Sequence, residues 1–217
     1  MDMRGSAITA RKPATQTGKA VSAKRQRAID AAAYTFARLG YHGAGTRAIA
    51  ENLGIKAASL YSHFASKDAA LEEVCRVGIG ASVNYMKKAS ASGDNLPTRI
   101  RKFFEYQREE LLDHCDYVIV FNNERRHLPY EAKQRIDALS REFRHDLIQM
   151  FTQAQERGEL HPDLSPRSAS ILMIGTLSYV TQLYLEGPIR GFDDFMNDAM
   201  ETFIRGITPS TNDTAAG

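Results

Sequence analysis

Apolar residues recur along most of the chain every three to four positions, the spacing of one face of an α-helix. From Ser22, the residues Ile29, Ala32, Ala33, Phe36 and Ala37 form a stripe that Gly40 ends. A glycine-rich loop follows at 41–45. Thr46 then reads as an N-cap, with Ile49, Ala50 and Leu53 in a second stripe behind it. Gly54 stands where a helix can end in a left-handed residue, and Ile55 reads as the buried residue of a tight turn. A third helix is predicted over 57–64, with Leu60 and Phe64 four apart on one face. Ser66 caps a long helix that runs to about Ala89 through Leu71, Val74, Cys75, Val77, Gly78, Val83 and Met86. Gly78 and Gly80 each cost that helix ~1 kcal/mol relative to alanine, which close helix packing would explain.

Beyond the loop at 89–97, a helix starts at Thr98, carries Ile100, Phe103, Phe104, Gln107 and Leu111, and breaks at 114–116. Residues 117–121 have the composition of a buried strand, but the chain offers no partner strand, so a buried helix is expected there. A long amphipathic helix over 131–157 presents Ile136, Leu139, Phe143, Leu147, Met150 and Phe151, and Gly158 ends it. Two more helices follow at 167–186 and 192–207, both with wide apolar stripes. The predicted fold class is all-α, with an N-terminal three-helix domain containing a helix-turn-helix and a C-terminal helical bundle. The predicted division is a basic arm at 1–21, a DNA-binding domain at 22–68, a helical domain for ligand binding and dimerisation at 69–207, and a polar tail at 208–217.

Helix, glycine turn, helix is the layout whose second helix lies in the DNA major groove. The alternative is an ordinary helical hairpin. Against it, the second helix is too short to be stable in a bundle by itself. Its outward face also holds Ala57, Ala58, Ser59, Ser62 and His63 in place of a charged, solvated surface. Small side chains let a backbone approach a groove closely. Thr46 and Lys67 stand at helix starts, where free N–H groups and the dipole attract phosphate, and Tyr61 offers a hydroxyl. Such backbone contacts set affinity, while Ser59, Ser62 and the alanines shape specificity. Few long hydrogen-bonding side chains point outward, so part of the readout is expected through DNA shape or water.

Charge sharpens this picture. The net charge is only +2, but residues 1–70 carry eleven Lys or Arg against four acids, a net of +7, and the remainder carries −5. A basic third joined to an acidic remainder fits a nucleic-acid-binding part and a part with another task. Lys24, Arg25 and Arg27 stand near the start of the first helix, within reach of a DNA backbone. Two cysteines in 217 residues make no disulfide framework, which points to a reducing, cytoplasmic setting. No apolar run reaches the ~18 residues of a membrane span, and the N-terminus lacks the apolar core of a signal peptide. Membrane association is not expected.

The helix to Gly40 and the block Thr46…Ile49-Ala50…Leu53-Gly54-Ile55…Ser59-Leu60-Tyr61…His63-Phe64…Ser66-Lys67…Leu71 resemble the N-terminal domain of the tetracycline-repressor (TetR) family of bacterial regulators. The resemblance covers residues 24–75 without gaps. It implies a three-helix DNA-binding domain and an all-helical C-terminal domain that dimerises and binds a small effector. By position it assigns Ala57, Ala58, Ser59, Ser62 and His63 to base edges or adjacent phosphates, and Thr46, Tyr61, His63 and Lys67 to the DNA backbone. The family often has Ser or Thr at position 56 and Lys or another polar residue at 57. Here Lys56 and Ala57 stand there, which leaves Ala57 a van der Waals contact such as to a thymine methyl. The last two helices would pair with their copies across a two-fold axis in a homodimer.

Candidate effector-lining residues are Phe103, Tyr106, Phe121, Phe143, Met150, Met173, Thr176 and Tyr179, a mixed aromatic and methionine set with hydroxyls that suits an apolar ligand with a polar end. The segment 117–128 with the Pro162-Asp-Leu164 turn resembles family members that sense acyl-CoA thioesters, which implies a hydrophobic or acyl-CoA-like effector. Catalytic and metal chemistry find little support. His114 and Cys115 are adjacent, so on a helix they point ~100° apart and form no dyad. The six histidines show no zinc spacing. No cofactor is expected. The function predicted is a dimeric, ligand-responsive regulator of transcription, a repressor, on double-stranded DNA. The alternative is a DNA-bound adaptor of the same fold that recruits a protein partner.

Overall fold

The structure, a computed structural model, describes residues 23–187 and 191–209. Every regular element among them is helical. The predicted arm at 1–21 and nearly all of the predicted tail at 208–217 lie outside the described residues. By packing, the chain divides into two units, residues 1–81 with 109–129, and residues 82–108 with 130–217. The packing thus groups residues 69–81 and 109–129 with the DNA-binding helices, whereas the sequence pattern divides the chain at 68.

In the first unit, α1 (Ala23–Gly43) buries Ala28, Ile29, Ala32, Ala33 and Phe36. Its regular part ends at Gly40, whose φ of 66° only glycine adopts without strain. α2 is Thr46–Leu53, α3 is Ala57–Leu60, and α4 runs Lys67–Ala91. Ser66 caps α4 as predicted, its Oγ accepting from the Ala69 N–H at 3.1 Å. α5 (Leu96–Asp113) begins two residues earlier than predicted, because Pro97 is tolerated in a first helical turn, where its missing N–H needs no partner. The chain breaks at His114 and continues as α6 (Cys115–Asn123) and a single 3-10 turn at Arg125–His127. Residues 117–121 are therefore helical, as the lack of a partner strand required.

α6 lies against α1. The Tyr117 hydroxyl donates to Asp30 Oδ1 at 2.5 Å and accepts from Gln26 Nε2 at 3.1 Å, and Asp116 accepts from Arg38 at 3.3 Å. Burial, then the Asp30 carboxylate, pushes the Tyr117 hydroxyl far above its ordinary range, so it stays a donor at every physiological pH. α6 also meets α4 closely. A Cβ at Gly78 would stand 3.1 Å from the Tyr117 carbonyl oxygen and 3.2 Å from Phe121 Cβ. Gly80 faces open space.

The second unit contains α7 (Tyr130–Glu156), α8 (Pro166–Glu186) and α9 (Phe192–Ile207), with the end of α4 and the start of α5. Ser165 caps α8, and Pro166 occupies its first position. Phe103 stacks on Phe143 at 5.9 Å, and Phe203 meets Phe104 and Phe151 at 6.4 and 6.5 Å. Each such ring contributes roughly 1.5–3 kcal/mol by leaving water. The outer face of α8 is unlike this interior. Ile171 and Tyr179 are both 61% exposed, Leu172 is 52% exposed, and Phe195 of α9 is also exposed. α8 has the length and mean hydropathy of a membrane span, although hydroxyls and a glycine interrupt its apolar residues.

The two α4 glycines should respond oppositely to alanine. Gly78→Ala forces a methyl group against a helical carbonyl that cannot move aside and should cost roughly 1–3 kcal/mol. Gly80→Ala should stabilise the protein by up to ~1 kcal/mol. Urea unfolding of the two variants measures both.

Candidate nucleic-acid interface

The α2–α3 turn follows from its glycine. Gly54 has φ 73° and ψ 31°, and its N–H and that of Ile55 donate to the Glu51 and Ala50 carbonyls at 3.1 and 3.0 Å. Ile55 is only half-buried. Two further sequence expectations change here. The N-cap of α2 is Gly45, and Thr46 is the first helical residue, with no side-chain cap bond at this terminus. The predicted helix over 57–64 is helical only over Ala57–Leu60, and residues 61–63 continue as turns. Four residues are too few to sustain regular helix, so packing decides the rest.

That packing is visible. Leu60 and Phe64 are buried. The Arg25 guanidinium of α1 donates to the His63 carbonyl at 2.5 Å, pairs with Glu73 of α4 at 3.3 Å, and stands 5.6 Å from the centre of the Phe64 ring. Asn52 Nδ2 donates to the Ala31 carbonyl and the Thr35 hydroxyl at 3.3 and 3.4 Å, joining α2 to α1. Arg25, expected at the DNA backbone, therefore braces the turn after α3 from inside. Lys24 and Arg27 are exposed.

What α3 presents outward is small. Lys56 is its N-cap, and Ala57, Ala58 and Ser59 are all exposed. Tyr61 is exposed too, and His63 is half-buried. The Ser62 hydroxyl donates to the Ser59 carbonyl at 2.7 Å, so it helps to close the turn. Lys67, at the start of α4, donates from Nζ to the Tyr41 carbonyl at 2.9 Å and lies 4.2 Å from the centre of the Tyr41 ring. The Tyr41 hydroxyl donates to Asp68, and its backbone N–H donates to Glu124 at 2.8 Å. The bond to Asp68, then burial, pushes the Tyr41 hydroxyl up to about 12. The His127 ring stacks on Tyr41 at 5.3 Å. The bracing roles of Arg25, Tyr41 and Glu124 were missed in the sequence. The one available signal was an aromatic residue inside a glycine loop.

The eight predicted effector-lining residues are not brought together. Phe103 and Phe143 stack on each other, and Met150 and Met173 are buried in the second unit. Tyr106 stacks on Tyr85 at 4.5 Å. Phe121 belongs to the first unit, where the Arg125 guanidinium lies 4.7 Å from its ring centre. Thr176 and Tyr179 lie on the outer face of α8. Thr176 joins Leu172, Phe195 and Phe203 along an open groove of about 450 Å³ between α8 and α9. Among the described residues no group of three or more His, Cys, Asp or Glu side chains is arranged to hold a metal ion.

A helix-turn-helix braced by a helical body defines a class of DNA-binding regulators, and sequence comparison identifies the family. Residues 28–74 match the pattern of bacterial regulatory proteins of the tetR family, and residues 93–206 match the tetracyclin repressor-like C-terminal domain. The chain belongs to the TetR family. It is 25% identical over 201 residues to the uncharacterized HTH-type transcriptional regulator YerO of Bacillus subtilis (strain 168), across 86% of this chain and 66% of that protein. It therefore spans about two thirds of that relative. It is 27% identical over 145 residues to the HTH-type transcriptional repressor KstR2 of Mycobacterium tuberculosis, across 66% of this chain and 72% of that protein. The structure of the KstR2 ketosteroid transcriptional regulator of that organism superposes with a TM-score of 0.76 at 24% identity, over 88% of this chain and 98% of that one. The FadR regulator of Bacillus subtilis, solved in complex with stearoyl-CoA, superposes with a TM-score of 0.71 at 21% identity, over 83% and 98% of the two chains.

Arg25 is the residue whose loss should separate bracing from DNA contact. Arg25→Ala should cost about 1–2 kcal/mol from the lost carbonyl bond and ion pair. Amide hydrogen exchange over residues 61–64 should quicken in the absence of DNA, which a residue serving only as a phosphate contact would not produce.

Proposed function

We propose that the chain is a ligand-responsive regulator of transcription, a repressor, that binds a near-palindromic operator as a homodimer in the cytoplasm. A small hydrophobic or acyl-CoA-like effector releases it. The observation that carries this reading is the exposed trio Ala57, Ala58 and Ser59, held outward on a short helix by buried Leu60 and Phe64 and by Arg25. Nothing bulky stands between that backbone and a groove. In this reading Ala57, Ala58 and Ser59 meet base edges, with Ser59 free to hydrogen-bond and the alanines in van der Waals contact. Thr46, Lys56, Tyr61, His63 and Lys67 meet phosphates, and Ser62 holds the turn that aims them.

The exposed apolar face of α8 and α9 supports dimerisation. Ile171, Leu172, Tyr179 and Phe195 would leave water against the same face of a second copy. Two recognition helices would then sit about 34–36 Å apart on the operator. An effector that prefers a dimer geometry with a different spacing would release the DNA, because it binds one state better than the other. The stearoyl-CoA complex of the FadR regulator supports an acyl effector of this kind.

Two measurements test the reading. Lys67→Ala should weaken binding to operator and random duplex alike and reduce the slope of log K against log salt by about one per subunit. Fluorescence anisotropy at several salt concentrations reads this, and an unchanged slope removes Lys67 from the phosphate contacts. Leu172→Asp should turn the protein into a monomer of 24.2 kDa by light scattering and abolish tight operator binding.

A further inference from the structure

Positive charge is unevenly placed within the DNA-binding part of the chain. Residues 28–70 carry four Lys or Arg against three acids, a net of +1, whereas residues 1–27 carry seven against one, a net of +6. Three of the four cations in 28–70 are engaged by the protein itself. Arg38 pairs with Asp116 at 3.3 Å, Arg47 pairs with Glu51 on its own helix at 3.0 Å, and Lys67 donates to the Tyr41 carbonyl at 2.9 Å. The fourth is Lys56, the N-cap of α3. Phosphate neutralisation supplies essentially all of non-specific binding to DNA and a large share of specific binding. The helix-turn-helix is poor in that charge, and the exposed Ala57, Ala58 and Ser59 of α3 add none.

The charge lies directly before α1, and α1 begins beside the recognition element. The Arg25 guanidinium, in the first turn of α1, donates to the His63 carbonyl at 2.5 Å, so the start of α1 stands next to the turn that follows α3. Lys24 and Arg27 are exposed there, and the first turn holds no acid to repel a phosphate. The chain therefore enters α1 at the edge of the surface that carries α3. The 22 residues before Ala23 hold Arg4, Arg11, Lys12 and Lys19 against the single acid Asp2. A chain of that length can span at most roughly 75 Å, about two turns of B-DNA. Small and polar residues separate the four cations, and apolar residues recur there at no helical or strand period.

We propose that residues 1–22 are a second DNA-binding element, which meets the phosphates beside the groove that α3 enters. Arg4, Arg11, Lys12 and Lys19 supply about half of each subunit's phosphate contacts, and Lys24, Arg27, Lys56 and Lys67 supply the rest. Contacts to phosphate read no bases, so this element sets affinity while α3 keeps the sequence preference. Docking of α3 holds the segment next to DNA at high effective concentration, so contacts that are weak one by one add up within a single complex. The proposal rests on the DNA reading by α3 proposed above.

The test uses the full-length chain and a random-sequence duplex of about 40 base pairs, to which binding is electrostatic and independent of sequence, read by fluorescence anisotropy over a range of salt. Arg4→Ala, Arg11→Ala, Lys12→Ala and Lys19→Ala together should weaken binding at low salt and reduce the slope of log K against log salt by about three to four per subunit. The charge-retaining pair Arg4→Lys and Arg11→Lys should keep the wild-type slope. If wild type binds and the four-fold variant has the same slope, the proposal is overturned and DNA reading by α3 stands. A slope lost equally in the charge-retaining pair overturns it as well. So does a drop of several degrees in the melting temperature of the four-fold variant, which would mean that the segment packs on the protein itself. Loss of binding to phosphatidylserine vesicles with the DNA slope intact overturns it in favour of a membrane surface. If wild type binds no duplex, the reading of α3 falls with it.

Discussion

The contact between α4 and α6 at Gly78 is the constraint on which the first unit depends. With no side chain at that position, α6 comes close enough to α4 that the Tyr117 carbonyl oxygen occupies nearly the space a Cβ would need. From there the Tyr117 ring reaches back to α1 and closes its hydrogen bonds with Asp30 and Gln26. α1, α4 and α6 become one body; α2 packs on it through buried Ile49 and Ala50 and the Asn52 bonds, and α3 is held by Arg25 with Leu60 and Phe64. A four-residue helix has almost no stability of its own. Its orientation belongs to the body that holds it, and a recognition element held in its binding geometry loses little entropy on reaching DNA.

The same body contains a route by which α6 influences the start of α4. Glu124 follows α6 directly and accepts from the Tyr41 N–H, and His127 stacks on the Tyr41 ring. The Tyr41 carbonyl in turn holds the Lys67 ammonium. Lys67 cannot serve a phosphate fully and keep that carbonyl fully, so any shift of the turn after α6 alters how freely Lys67 turns outward. With Lys67 at a phosphate, as proposed, coupling here would be a competition for one ammonium group between a backbone oxygen and DNA.

Much of this was legible in the sequence. Apolar spacing gave the helices, and punctuation by Gly40, Gly54, Ser66 and Gly158 gave most of their ends, because these residues act through local backbone geometry. Where tertiary contacts decide, the reading slipped. The helix after Gly54 stops at Leu60, since the bracing of His63 by Arg25 comes from 38 residues away. A basic residue at a helix start reads as a phosphate contact until its partner Glu73 is seen beside it. The effector-lining set mixed core, surface and first-unit positions, because helical periodicity does not distinguish a face that meets its own core from one that awaits another chain. Tyr179 and Phe143 look alike in the sequence, and only packing separates them.

Two features of the second unit are unfavourable for the isolated chain, and they point in opposite directions. α8 leaves large apolar side chains in water, and α5 places a cation in the core whose Nε has no acceptor. Neither is a requirement of helical packing. Aspartate or lysine would serve the outer face better in a monomer, and methionine would serve the interior better than Arg99. Marginal stability makes such choices expensive, because a few kcal/mol is a large fraction of the whole. An apolar surface is relieved by an apolar partner, and a buried guanidinium is relieved by an anion. The dimer proposed for the face of α8 and α9 would relieve the first of these, because a second copy takes the same apolar groups out of water.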